Sequence, residues 1–289
     1  MLNRQQTRTR LLIFTLYGDY LLPRKGSAPT GSLIALLGLL GVRNQAARST
    51  LSRMSREGWL KGKRRGRHSR YALTLNARHL LEEGTRRIFE PRRRRWDGRW
   101  RVVVYSLPET KRDLREALRR RLSYLGFGAL TPGTWVSPHD RQVEVQSLLK
   151  DLKAQRYVQY FEGHWRGHIS NKELVTRCWN LKELNRQYAM FLRKWVPELE
   201  KYEKGVASGN RLSPSECFVH RFWIIHEYSA FPNRDPNLPA ELLPKGWRGN
   251  EASQVFRKYR RKLTKRANAF VDEILRTANG IKTEIPASH

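Results

Sequence analysis

Over residues 6–22 apolar side chains, among them Leu12, Tyr17 and Leu21, recur at mixed helical spacing and predict a first helix. A turn rich in Pro, Gly and Ser over 23–29 separates it from a second apolar stretch, which Thr30 or Ser32 can cap and which runs through Leu40 to a stop at Gly41. A third helix is expected from Asn44, as its N-cap, to Glu57, with Gly58 beyond its end. On it Ala47, Leu51 and Met54 recur at intervals of four and three and make a core face, while Arg43, Gln45, Arg48, Ser49, Ser52, Arg53 and Arg56 occupy other faces. The period then drops to two. Trp59–Lys63 alternates as a strand, 64–67 turns around Gly66, and Ser69–Leu75 returns as a second strand. Helix, strand, turn and strand in this order predict a winged helix-turn-helix.

A further helix, Ala77 to Phe89, ends at Pro91 and the unbroken run Arg92–Arg95, which reads as a boundary: a solvated linker or a direct phosphate contact. From Trp100 the segment WRVVVYSL is apolar enough for a strand buried in a sheet. Pro108 closes it, and Thr110 can cap a helix carrying Leu114, Leu118, Leu122 and Leu125. A turn at Gly126–Gly128, a strand at Thr134–Ser137, a helix at Val143–Leu152 and an alternating strand at Tyr157–Glu162 follow, with one weak strand near Gly128–Leu130. That alternation predicts a ferredoxin-like α/β sandwich. From Leu181 the chain turns helical. Leu184, Tyr188, Phe191, Leu192 and Trp195 share one helix, Pro214–Phe231 forms a very aromatic second, and Gly249–Leu275 a long last one. Between the last two lies a proline-rich crossing in which no long regular element can form. The expected class is α+β: a winged helix-turn-helix over 1–90, a basic linker over 91–99, the α/β sandwich over 100–175 and a mainly helical C-terminal domain over 176–289.

Charge sharpens this picture. The 289 residues carry a formal net charge of +31, and residues 1–96 hold 22 Lys and Arg against 5 Asp and Glu. An excess of this sign, concentrated around the predicted reader, points to a polyanion, because neutralised phosphates release their counterions. A merely soluble basic surface is the alternative, and the uneven placement argues against it. Nine Trp, eleven Tyr and ten Phe exclude a disordered chain. The two cysteines, Cys178 and Cys217, have no metal spacing and offer no disulfide framework, as expected of a reducing compartment. The segment MLNRQQTRTRLLIFTLYGDYLL starts basic and turns apolar, but Thr15, Gly18 and Asp19 break it and no small-residue cleavage site follows closely. The longest uncharged apolar run, Leu33–Val42, is about half a membrane span. A soluble, cytoplasmic protein is expected.

In a helix-turn-helix the N-terminal residues of the second helix meet base edges in the major groove. Arg43, Asn44, Gln45 and Arg48 suit that work: arginine forks onto guanine, and asparagine or glutamine onto adenine. Ser49 and Ser52 suit phosphate or mixed contacts, Arg53 joins the same candidate face, and Arg64, Arg65 and Arg67 of the wing can reach phosphate or a narrow minor groove. The competing reading is a solvated basic face.

The N-terminal unit, together with WDGRWRVVVYSLPE (96–109), LGFGALTPGTWVSPHD (125–140) and HEYSAFPNRDPNLPAELLPKGW (226–247), resembles the PaaX family of bacterial transcriptional repressors over nearly the whole chain. The resemblance implies a winged helix, a Cas2-like middle domain and a helical C-terminal domain. It further implies a homodimeric, DNA-binding repressor of phenylacetate degradation, released from its operator by phenylacetyl-coenzyme A. No other cofactor is implied. Cas2 proteins place a metal-binding aspartate at the end of a first strand, where this chain has Ser106, and neither Asp97 nor Asp140 replaces it. No enzyme is therefore expected; a metal-dependent nuclease and a non-specific architectural DNA binder remain the alternatives. His164 and His168 in HWRGH stand four apart but read as surface or packing residues rather than metal ligands. His226–Glu227 starts like a zinc-protease motif, but Ala230 stands where its second ligand belongs. In the C-terminal motif His226, Tyr228, Arg234 and Trp247 have two readings. One is an acyl-coenzyme A pocket, in which Arg234 holds phosphates and aromatics bury the acyl group. The other is a structural role, with Arg234–Asp235 as a buried pair.

Overall fold

The amphipathic pattern of residues 44–56 needs a partner for its apolar face, and the first five elements supply it. A computed structural model describes residues 4–65, 68–89 and 95–277. Helix α1 (Arg4–Leu16) continues through one π-turn at Tyr17–Leu21 and a short 3₁₀ turn at Leu22–Arg24. Strand β1 (Ser27–Pro29), α2 (Thr30–Leu39), α3 (Asn44–Arg56), β2 (Leu60–Arg65), β3 (His68–Leu73) and α4 (Leu75–Phe89) complete the N-terminal run. Leu12, Ile13, Leu16, Leu33, Leu36 and Leu37 are buried with Ala47, Leu51 and Met54. The core face of α3 is therefore the one its spacing predicts. The strands form an antiparallel sheet in the order β1-β3-β2.

Several local expectations change. The stretch 23–29 is not only a turn: its last three residues are β1, paired Ser27 to Ala72 and Pro29 to Arg70. Three residues are too few to show a twofold period, and Pro29 is tolerated because β1 is an edge strand. Neither Thr30 nor Ser32 caps α2, whose N-cap is Pro29 without a side-chain bond. The Thr30 hydroxyl donates to the Ser69 carbonyl and the Ser32 hydroxyl to that of Ile274, so both serve tertiary contacts. Asn44 is likewise not a cap; Arg43 holds that position, again without a side-chain bond. Arg64 and Arg65 extend β2 rather than the turn.

The described residues fall into two compact units, and the C-terminal helices are divided between them. The first unit combines residues of 1–90, 193–228 and 253–289. Besides α1–α4 it holds the later part of α8 (Leu181–Ala207), α9 (Pro214–Tyr228) and most of α10 (Gly249–Thr277). Phe218, Phe222, Phe256 and Tyr259 are fully buried there with Tyr17 and Tyr20. Asp19, on the π-turn, pairs with Arg221 of α9, and both side chains are 3% exposed. Arg24 bonds Asp272 of α10 at 2.6 Å.

The second unit, residues of 91–192 and 229–252, is built on β4 (Trp100–Tyr105), β5 (Gly128–Thr131), β6 (Thr134–Ser137) and β7 (Val158–Gly163). The antiparallel order β5-β6-β4-β7 is that of a ferredoxin-like sandwich, so the weak strand near Gly128 is real. Helices α5 (Arg112–Tyr124) and α6 (Gln142–Asp151) close a core of Val103, Tyr105, Leu118, Leu122, Trp135 and Leu148. Thr110 lies inside a 3₁₀ turn, Glu109–Lys111, and does not cap α5, whose N-cap is Lys111. One helix is unexpected: α7 (Asn171–Cys178), started by a capping box in which Ser170 and Glu173 each satisfy the other's backbone N–H. The tetrad Ser170-Asn171-Lys172-Glu173 carried that signal. Trp179, just past α7, lies over β5, and a Cβ on Gly128 would come within 2.5 Å of it, so only glycine fits.

Candidate nucleic-acid interface

Turning the core face of α3 inward turns a polar stripe outward. Gln45, Arg48, Ser49, Ser52 and Arg56 are exposed at helical spacing, and Arg43 and Asn44 are exposed at its start. The Arg48 Nε donates to Asn44 Oδ1 at 2.8 Å, so Asn44 braces the arginine instead of capping the helix. The bond engages Nε of this exposed arginine and leaves its two terminal nitrogens, the pair that forks onto a guanine edge, outside that bond. Ser49 donates back to the Ala46 carbonyl. Arg53 is half-buried beside the stripe. Arg56 extends it by one turn, and the exposed pattern beyond residue 53 is the signal that adds it to the sequence-derived set.

In the hairpin the register sorts the basic residues by face. Lys61 pairs with Ala72 and Lys63 with Arg70, which places these cations on one face, while Leu60, Gly62 and Arg64 take the other. Lys63 and Arg70 stand directly opposite, an arrangement unfavourable by itself because like charges repel across strands. Arg67 and three of the four linker arginines, Arg92 to Arg94, lie outside the described residues, as does the Arg65 side chain. Lys61 and Lys63 add two cations that hairpin pattern alone did not single out. Replacing both with alanine is expected to weaken every duplex about equally and to flatten the log–log salt dependence of binding by roughly 0.9 per lysine, measured by anisotropy titration at several salt concentrations.

The wing and α3 are tied to α1. Arg10 bonds Glu57 at 2.9 Å and lies over the Trp59 ring at 5.2 Å, and Phe14 meets Trp59 edge-on at 5.3 Å. On the far side, Thr15 of α1 is 2.8 Å from Nδ1 of His226 on α9. Burial holds the His226 imidazole below its ordinary value, and His220 is shifted in the same direction for the same reason. Both are therefore neutral in the fold at pH 7. Unfolded histidine takes up its proton near pH 6.5, so stability is full above that value and falls with pH from there down to the depressed folded values. His226→Gln is expected to reduce the loss of melting temperature between pH 7.5 and 5.5.

The remaining candidates are distributed as follows. Tyr228 is buried and stacked on Phe256 at 4.0 Å, in the first unit with His226. Arg234 and Trp247 belong to the second unit. Arg234 is exposed and donates to Gln187, so it is not half of a buried pair; Asp235 instead accepts the Tyr188 hydroxyl at 2.7 Å. Trp247 packs edge-on to Tyr188. In the same unit Ser106 is exposed past β4, and Asp97 gives its carboxylate to Arg101 at 2.6 Å, which holds it below the usual carboxylate range. Arg101 is itself 5% exposed and also meets Glu162. A guanidinium thus occupies the carboxylates nearest the strand. Among the described residues no three His, Cys, Asp or Glu side chains are grouped to hold a metal ion, and none of the helices is long and apolar enough to cross a membrane. The His164 Nδ1 donates to the Gly98 carbonyl at 3.1 Å on an exposed loop.

Each unit also carries a cleft. In the second, about 550 Å³ is lined by Lys172, Arg177, Lys182 and Lys245 around Trp179 and Leu242. In the first, about 780 Å³ lies between α8 and α9.

A helix with an outward polar stripe, a basic hairpin beside it and a ferredoxin-like sandwich define a winged-helix protein with a second domain. Comparison with known proteins gives the family. Three family models match in chain order: PaaX-like protein over residues 8–77, PaaX protein central Cas2-like domain over 93–175, and PaaX-like protein C-terminal domain over 179–273. The transcriptional repressor PaaX of Escherichia coli strain K12 is 34% identical over 279 residues, which covers 96% of this chain and 86% of that protein. The uncharacterized protein Rv0674 from Mycobacterium tuberculosis is similar in structure, with a TM-score of 0.59 over 95% of this chain and 99% of that one; at 21% identity it shows the shared fold alone. The chain belongs to the PaaX family of transcriptional repressors. A non-enzymatic regulator is in keeping with that relative.

Proposed function

We propose that this repressor acts as a homodimer on a pseudo-palindromic operator and is released by an acyl-coenzyme A effector such as phenylacetyl-coenzyme A, so that it controls genes for phenylacetate or related aromatic catabolism. The observation that carries the DNA half of this reading is the exposed stripe Gln45, Arg48, Ser49 and Ser52 on α3, flanked by the cationic face of the wing. One copy of such a stripe reads one half-site. Two copies related by a twofold axis read half-sites about one helical turn, or a multiple of it, apart. The cytoplasm is the compartment in which such a protein meets its DNA.

The test is a competition shift at fixed salt between duplex from the promoter of the protein's own operon and random duplex, with the mass of the free protein measured by sedimentation. Preference for the promoter, a dimer mass and loss of the shifted band on adding phenylacetyl-coenzyme A are expected. Equal affinity for random duplex would make the chain an architectural binder, and cleavage of the duplex with magnesium would make it a nuclease.

A further inference from the structure

We infer that the cleft between α8 and α9 in the first unit is a binding site for a small aromatic anion, and that α9 transmits its occupancy to the DNA reader; this rests on the reading of the chain as an effector-released repressor. The floor of the cleft is aromatic. Trp195 and Tyr259 are 2% and 0% exposed, with ring centroids 6.0 Å apart, and Tyr202 stands 5.8 Å from Tyr259. The Tyr259 hydroxyl is held by Nδ1 of His220 at 2.7 Å. Half-buried Leu212, Val219 and Trp223 form the walls. A volume of about 780 Å³ with such walls suits a flat apolar body.

The mouth sets the charge. Lys201, Lys204 and Arg211 are exposed around it and make no salt bridge among the described residues. Lys194 is occupied by Glu227 at 2.5 Å. Of the two carboxylates present, Glu216 accepts the backbone N–H of Ser213, and Glu198 faces His220 at 3.7 Å. Three uncommitted cations beside an aromatic floor select an aromatic ligand that carries a carboxylate, or one joined by a thioester to a phosphate-bearing carrier.

Helix α9 joins this cleft to the N-terminal elements, and α10, which carries Tyr259, contacts them as well through Arg24–Asp272. His220, Val219 and Trp223 line the cleft, and on the same helix Arg221 pairs with Asp19, Phe218 packs on Tyr20 at 5.2 Å and His226 meets Thr15. Asp19 and Thr15 lie on α1 and its π-turn, and α1 in turn holds Glu57 and Trp59 at the junction of α3 and the wing. A ligand that moves α9 therefore moves α1 against the reader through packed contacts within one unit.

The experiment has two readouts. Release of a labelled operator duplex is followed by anisotropy with phenylacetate, coenzyme A and phenylacetyl-coenzyme A as separate arms, and intrinsic tryptophan fluorescence of the DNA-free protein is titrated with the same compounds. Val219→Phe, which fills the cleft, and Lys201→Gln with Lys204→Gln, which strips its mouth, are compared with Lys182→Gln with Lys245→Gln in the second unit's cleft. The expected result is saturable quenching by an aromatic arm, with the first two variants raising the half-release concentration about tenfold or more, while ligand-free operator affinity stays unchanged. A shift produced by the second-unit variant and not by the others, or wild-type release without saturable quenching, overturns the site and leaves the function standing. Saturable quenching that the first two variants weaken, without operator release, overturns the effector reading and the transmission while leaving a binding site. No quenching and no release overturn both.

Discussion

Replacing Asp19 with alanine is expected to destabilise the first unit by about 3–5 kcal/mol, because it leaves the Arg221 guanidinium buried without its counter-charge. Arg221 Nη2 donates to Asp19 Oδ1 at 2.8 Å, and Nη1 lies 2.6 Å from Oδ2, a charge contact rather than a well-directed hydrogen bond. Burial pushes the Asp19 carboxyl up, and Arg221, Arg260 and Arg24 pull it back. The Arg221 guanidinium also lies over the Tyr20 ring at 4.5 Å, which covers one of its faces, and the residue is 2% exposed. At about 2–4 °C per kcal/mol for a protein of this size, the melting temperature should fall on the order of 10 °C. The converse variant decides what the pair is for. Asp19→Leu with Arg221→Met removes both charges, and for a buried ion pair such a swap is often neutral or stabilising. If the double variant regains wild-type stability but no longer releases operator on adding ligand, the pair serves transmission between α9 and α1. A single-variant loss below about 1 kcal/mol, by contrast, would mean that water reaches the pair, as at a surface bridge.

The second large effect concerns specificity. Gln45→Ala with Arg48→Ala should lower affinity for the operator on the order of 100-fold or more while changing affinity for random duplex far less, since each bidentate base contact is worth about 1–3 kcal/mol and phosphate contacts carry the non-specific part. The bond from Arg48 to Asn44 refines this expectation. Asn44→Ala removes a brace and not the fork, so it should cost less than Arg48→Ala and affect the same base position. Competition titrations against operators substituted one base pair at a time separate the two. Equal losses on operator and random DNA for the double variant would move α3 from base edges to the backbone.

Much of the reader was legible from local spacing. The inward face of α3 follows from Ala47, Leu51 and Met54, and with that face fixed the exposure of Gln45, Arg48, Ser49 and Ser52 follows from helix geometry alone. Ferredoxin-like order was legible for the same reason: strand and helix periods alternate in a pattern few topologies satisfy. Capping was read less well. Thr30, Ser32, Asn44 and Thr110 all have the right chemistry for an N-cap, yet none is one. A short polar side chain at a helix start has several partners within reach, and packing selects among them: a distant carbonyl for Thr30 and Ser32, a neighbouring guanidinium for Asn44. The true capping box, Ser170 with Glu173, has its own reciprocal signature.

By itself the sequence determined what depends on neighbours a few residues apart: which faces of the helices are apolar, where a two-residue period replaces a helical one, and where the positive charge concentrates. Tertiary structure alone decided what depends on residues far apart. It pairs β1 with β3, it brings Asp19 to Arg221 across 202 residues, and it places α9 against both α1 and an aromatic cleft. The physical reason is that a helix or strand period is set by backbone geometry shared by every such element, whereas the partner of a buried charge or aromatic face is chosen only when the whole core packs.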